Sequence, residues 1–130
     1  MSQENVEVVR RLLDAQQRDD IPAALACLDP DLDWVPLRAA IEGAYTGHEG
    51  FEKFWEDTRV TFETFEPHFE LRAVGEQVLA WGTIGVRGRG SGAEVDVPVG
   101  GIFDLRDGRI VRWQDFGSKE TALEAVGLTD

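Results

Sequence analysis

The chain's 130 residues, 42% hydrophobic and 29% charged, are enough for one folded domain with its own core. Thirteen Lys and Arg against 25 Asp and Glu leave a net charge of −12, which repels phosphate backbones and anionic lipid and sets nucleic-acid and membrane-surface roles aside. One cysteine excludes an internal disulfide and Cys-x-x-Cys chemistry, no apolar run reaches the roughly 18 residues of a membrane span, and residues 1–20 carry no leader pattern, so a reducing cytoplasm is the expected setting.

No repeat, low-complexity tract or Pro-rich linker divides the chain, and residues 1–130 read as a single domain. Val6, Val9 and Leu13 recur at helical spacing, widened by Val8 and Leu12, with Glu4, Glu7, Arg10, Arg11 and Asp14 facing out. Asp19-Asp20 offers N-cap chemistry to a short helix with Pro22 in its first turn, running from Ala23 to Leu28 and stopped by Asp29-Pro30-Asp31. Leu32 to Leu37 reads as extended, and Pro36 confines it to an edge or a strand end. Thr46 and Glu49 have capping-box spacing, and behind them Phe51, Phe54, Trp55, Thr58, Phe62 and Phe65 form one helical face opposite Glu52, Lys53, Glu56, Asp57 and Glu63.

From Pro67 the period becomes two. Phe69, Leu71 and Ala73 alternate with His68, Glu70 and Arg72, and Gly75-Glu76 turns the chain. In the next strand Val78, Ala80, Ile84 and Val86 take one face and Leu79 and Trp81 the other. A strand apolar on both faces has to be covered on both, which predicts a second subunit over Leu79 and Trp81. A glycine-rich connection at 88–92 leads to a strand from Glu94 to Arg106, and Asp107-Gly108 makes a tight hairpin into Arg109–Phe116. Ser118 caps a last short helix through Ala125, closed by Gly127. The order α-α-β-α followed by four antiparallel strands and a tail helix is an α+β arrangement, and Gly82, Gly85, Gly100 and Gly101 predict bends in the sheet.

Asp115 is the candidate catalytic residue. Val111, Trp113 and Asp115 share one face of the last strand, and Ile110, Arg112, Gln114 and Phe116 share the other. If the Val/Trp row faces inward, a carboxyl group ends an apolar row, and desolvation pushes its pKa toward the range useful for general acid or base work. A structural role stands beside this one, with Asp115 bonded to backbone near Ser118 or paired with an arginine. Trp34, Tyr45, Phe54, Trp55, Thr58, Phe62, Phe103 and Trp113 could line a pocket or simply form core. His48 lies in a first helical turn, where the dipole disfavours imidazolium; it would act as base or donor only near a pocket mouth and otherwise lies on the surface. His68 reads as surface and Cys27 as a buried structural thiol. Two histidines without metal-site spacing predict no metal, the 88–92 stretch lacks a P-loop ending, and no cofactor is called for.

The segments "LDPDLDWVP", "GAYTGHEGFEKFWED" and "FDLRDGRIVRWQDF", in that order, resemble the NTF2-like superfamily, in particular its SnoaL-like branch. The resemblance runs from Asn5 to Gly127 and implies a cone-shaped, strongly curved antiparallel sheet wrapped around three helices. It also implies an apolar pocket at the open end and a homodimer packed through the sheet. Family catalytic sets transfer poorly. The ketosteroid isomerase tyrosine, base and protonated acid fall at Leu12, near Val35 and near Gly101, and none of these residues can fill the role. The Arg-x-Asp pair of limonene epoxide hydrolase falls on Gly82 and Ile84; only its last acid matches, at Asp115, and Gln114 stands where that relative tends to have arginine. SnoaL-like cyclases place a catalytic acid in the Asp115 region, and Trp55 falls where ketosteroid isomerase has a pocket tyrosine. The resemblance therefore leads to a small, largely apolar ligand in a central aromatic pocket, with proton transfer through Asp115 and positioning by Tyr45, His48 and Trp55. The alternatives are a non-catalytic binding or dimeric interaction module, or a cone plugged by its own side chains.

Overall fold

The helical stripe closes into α1 (Ser2–Gln17), the first element of a computed structural model that describes residues 2–35 and 45–127. Val9, Leu12 and Ala15 on α1 are wholly buried, and the stripe continues past them to Gln16, which is 4% exposed. Asp19 takes positive φ after α1, and Asp20 caps α2 (Ile21–Ala26) by accepting from the Ala23 N–H. This second helix is shorter than its apolar run. Asp29-Pro30-Asp31 belongs to β1 (Leu28–Val35), where the Asp29 carboxylate takes the Asp31 N–H at 2.8 Å and the pairing register slips between Leu28 and Asp33. Pro36 and Leu37 lie outside the described residues.

Thr46, in β2 (Tyr45–Thr46), precedes α3 (Gly47–Thr61) but makes no side-chain cap bond, because it is held extended against Asp33 of β1; the capping box does not form. Nor does the aromatic face run on as helix. Phe62 is already extended at φ −124°, ψ 140°, so Phe62 and Phe65 belong to β3 (Phe62–Val74). The β-branched, aromatic run there favours strand, and Thr58 and Thr61 bond back to the carbonyls of Phe54 and Asp57 in the last turn. Phe65 still meets Trp55, edge-on at 4.9 Å, but from the strand.

The remaining elements follow the alternation: β4 (Gln77–Gly88), β5 (Glu94–Arg106), β6 (Arg109–Phe116) and α4 (Lys119–Ala125). The six strands form one curved, unclosed sheet in the order β2-β1-β6-β5-β4-β3. Every pairing is antiparallel except β1 with β6, which run parallel with Trp34 opposite Trp113. A register shift between Asp104 and Leu105 leaves Val111 unpaired and puts Ile110 into the core, so the inward row of β6 is Ile110, Trp113 and Asp115 rather than one starting at Val111. At Gly82 φ is 156° and a Cβ would stand 1.9 Å from the His68 carbonyl oxygen, so the bend there admits only glycine.

The main core lies between the inner face of the sheet and helices α1, α2 and α3. A smaller core on the outer face joins Leu79 and Ile102 to Ala122 and Leu123 of α4. Gly100 permits that approach: a Cβ there would lie 2.6 Å from the Ser118 carbonyl oxygen. Leu79, assigned from sequence to a partner-covered face, is thus wholly buried beneath the chain's own last helix, and the Lys119 ammonium sits 4.8 Å over the Trp81 ring. Among the described residues no helix is long and apolar enough to cross a membrane.

Candidate functional site

Where α1 and α3 lie against the inner face of the sheet, a cavity of about 60 Å³ remains among side chains of α1, β1, α3, β3, β4, β5 and β6. Its wall is almost wholly apolar. Trp34, Phe54, Phe103 and Trp113, expected from the sequence to line a pocket, do meet here, and Asp115 ends the wall on β6. The parallel pairing of β1 with β6 explains the centrepiece. Trp34 and Trp113 occupy one register position and stack with centroids 4.2 Å apart at 12°, while Phe54 closes on Trp34 edge-on at 4.3 Å.

Both indoles of the stack point their N–H at one carboxyl group. Trp113 Nε1 donates to Asp115 Oδ1 at 2.9 Å, and Trp34 Nε1 donates to Oδ2 at 3.3 Å. The first bond follows from i, i+2 alternation on β6; the second joins positions distant in the chain and needs the β1–β6 pairing. Asp115 as a residue is partly open, but its carboxyl is packed in protein, and that burial raises its pKa from 3.8 to about 7. The two indole bonds pull the other way and lose, since neutral donors cannot replace the hydration of a full charge. Neither arrangement foreseen for a structural Asp115, a backbone tie near Ser118 or an arginine pair, is the one the carboxyl adopts. Across the β5–β6 pairing, a Cβ at Gly101 would stand 3.5 Å from Asp115 Oδ1.

The other expected pocket residues lie elsewhere. Tyr45 packs behind the cavity wall on Trp34 and Phe54, with centroids 5.8 and 5.7 Å away. His48 is half-buried and donates from Nε2 to the Leu28 carbonyl at 2.9 Å, pinning α3 to the start of β1. Trp55 donates to Asp19 Oδ1 at 2.7 Å. Together with Thr58 and Phe62 it borders a separate, more polar recess that also includes Arg59 and Arg89. Cys27 is buried, and that burial raises its thiol pKa, as expected of a structural thiol. No three metal-ligating side chains converge among the described residues. Apolar residues such as Leu13, Phe69 and Ile84 and the polar Gln16 also line the cavity without having been expected there, and the buried Oε1 of Gln16 has no hydrogen-bond partner among the described residues. Its spacing from Val9 and Leu12 continues the apolar stripe, and extending that stripe one turn would have found it.

A curved, unclosed six-stranded sheet packed on helices, with a carboxyl group set into its aromatic interior, places the protein in the α+β class. The SnoaL-like domain family model matches residues 9–113, and the chain belongs to that family. No curated protein matches the chain at a significant level. Among solved structures, a candidate polyketide cyclase from Xanthomonas campestris is 21% identical, with a TM-score of 0.80 over 96% of this chain and 98% of that one. TerC, co-crystallized with polyporic acid, is 22% identical, with a TM-score of 0.78 over 95% and 98%. A protein with a ketosteroid isomerase-like fold from Catenulispora acidiphila, in complex with trimethylamine, is 21% identical, with a TM-score of 0.76 over 94% and 93%. At these identities the likeness is one of fold.

Proposed function

We propose that this chain binds a small, largely apolar molecule in the aromatic cavity and exchanges a proton with it through Asp115, in an isomerase-, cyclase- or hydratase-type step. The observation that carries this reading is the Asp115 carboxyl, set in an apolar wall, held by two indole N–H groups and poised at about 7. Near neutral pH such a group is present both as acid and as base, which proton transfer in two directions requires. The indoles fix its oxygens and stabilise the anion left after it donates. Similarity of fold to a candidate polyketide cyclase, and to proteins crystallised with polyporic acid and with trimethylamine, agrees with a ligand-holding interior.

The cavity's size favours a second reading, a binding module without chemistry. At about 60 Å³ it is far below the roughly 300 Å³ of common small-molecule sites and below the ~150 Å³ of an apolar cavity that holds benzene, so it takes a few waters as it stands and a ring only as wall side chains move aside. Pairing of two chains through the outer sheet face is also proposed, centred on half-buried Trp81 because α4 already covers Leu79. A cytoplasmic setting rests on Cys27 being the single cysteine.

One experiment separates the two readings of the cavity. Incubating the protein with 2-cyclohexenone in D2O and following loss of ligand C–H signals by NMR is expected to show exchange above buffer that changes near pH 7 and disappears in Asp115→Asn. Binding of the ketone with no exchange above buffer leaves the binding module and rejects the catalytic role.

A further inference from the structure

An apolar cavity with one polar end orients a ligand poorly, because an apolar body can turn within it. The described part of this cavity has a second polar side chain. Gln16 is 4% exposed, lies in the wall with Asp115, and its Oε1 is buried without a hydrogen-bond partner. Buried acceptors left unmade are few in folded proteins, since each forfeits its hydration for nothing. Asn5 on the same helix holds another orphan atom, Nδ2, but Asn5 is not part of the cavity wall. Nothing about packing calls for an amide at position 16. Its neighbours on the stripe are Leu12, Leu13 and Ala15, and leucine or methionine has similar volume without the orphan oxygen.

The two polar groups also complement each other chemically. A neutral Asp115 carboxyl has an O–H to give, and Gln16 Oε1 has a lone pair to receive, while aromatic and aliphatic side chains line the rest of the cavity between the helix and the sheet. A ligand hydroxyl can accept from the first and donate to the second. We propose that Gln16 is the specificity-determining contact of the cavity: its free Oε1 accepts a hydrogen bond from an O–H or N–H on a small, otherwise apolar molecule, and so selects hydroxylated ligands over their hydrocarbon isosteres. The inference rests on the ligand reading of the cavity and names the ligand class within it.

Phenol and toluene are matched probes, nearly equal in shape and differing in the hydroxyl. Binding is read from the indole N–H resonances of Trp34 and Trp113, which flank the cavity. Wild-type protein is expected to hold phenol about tenfold more tightly than toluene, the worth of one buried hydrogen bond. In Gln16→Leu and Gln16→Met, phenol affinity falls about tenfold while toluene binds as before or more tightly, and the thermal midpoint rises because the orphan oxygen is gone. Three results overturn the inference. If both variants keep the wild-type preference while Asp115→Asn weakens phenol, the cavity binds its ligand without Gln16. If both variants lower the thermal midpoint and leave the preference intact, the amide is structural. If neither probe moves the two indole resonances in the wild type, the ligand reading fails and this inference goes with it.

Discussion

The same contact, an indole N–H on an aspartate, is built twice in this molecule with opposite consequences. At the end of α1, Trp55 donates to Asp19 at 2.7 Å, and the Arg59 guanidinium reaches the other oxygen of that carboxylate at 3.2 Å, with the Asp19 side chain 47% exposed. On the inner face of the sheet, Trp113 and Trp34 donate to Asp115 at 2.9 and 3.3 Å, and the carboxyl is packed in protein with no cation beside it among the described residues. Asp19 is a tie between a helix end and α3. Asp115 is a desolvated carboxyl group with a raised pKa, and what separates the two is solvation rather than the hydrogen bond they share.

The largest expected effect breaks the comparison through pH. Because the folded pKa of Asp115 is raised, its neutral form stabilises the fold fully below about pH 4, and that contribution is lost as pH rises through about 7. The difference between 3.8 and about 7 corresponds to a ceiling of about 4 kcal/mol. Urea unfolding of wild type and Asp115→Asn between pH 4 and 9 is expected to show the wild type losing stability relative to the variant over that window. Parallel profiles would mean that Asp115 ionises as an ordinary surface carboxylate. Asp19→Asn removes only a half-exposed carboxylate and keeps Asp115, so its pH profile is expected to track the wild type.

A middle-sized effect comes from removing the donor while keeping the ring. Trp113→Phe leaves Asp115 one indole bond and no water to replace the other, so it is expected to cost about 1–3 kcal/mol. It should also move the Asp115 midpoint further above 7, since the lost bond was lowering it. Trp55→Phe leaves Asp19 with Arg59 and solvent and is expected to cost less than about 1 kcal/mol of hydrogen bonding. Carboxyl carbon NMR for the midpoint and urea unfolding for stability check both. Equal costs in the two variants would erase the distinction drawn from solvation.

Much of this arrangement was legible in the sequence, and the parts that were not share a cause. The hairpin at Asp107-Gly108, the Ser118 cap and the inward row of Trp113 and Asp115 follow from local periods and turn chemistry, which act over a few residues. Phe62 and Phe65 misled because their spacing from Phe51 suits a helix, although the chain has already become a strand that returns past Trp55. The shift at Val111 depends on a bulge set by the partner strand. Trp34's bond to Asp115 needs β1 beside β6, a pairing between the first and last strands that no local pattern encodes. His48, Trp55 and Tyr45 carry the residue types of a site, yet their partners are a backbone carbonyl, an aspartate at a helix end and other rings. Gln16 was passed over for the opposite reason, as a polar residue in an apolar stripe.

The smallest effect sharpens the other half of the comparison. If Asp19 is a solvated tie, its ion pair should contribute little, because Arg59 and Asp19 are 45% and 47% exposed and water screens their attraction. Arg59→Gln is therefore expected to lower stability by about 0.2–1 kcal/mol, shrinking further as salt rises from low to physiological strength. Arg59 also reaches Glu56 at 3.3 Å, so part of even that small loss belongs to a second exposed partner. Unfolding of the variant and of Asp19→Asn at two salt concentrations gives the numbers. A salt-insensitive loss of several kcal/mol from Arg59→Gln would place Asp19 in the same desolvated class as Asp115, and solvation would no longer separate the two carboxyl groups.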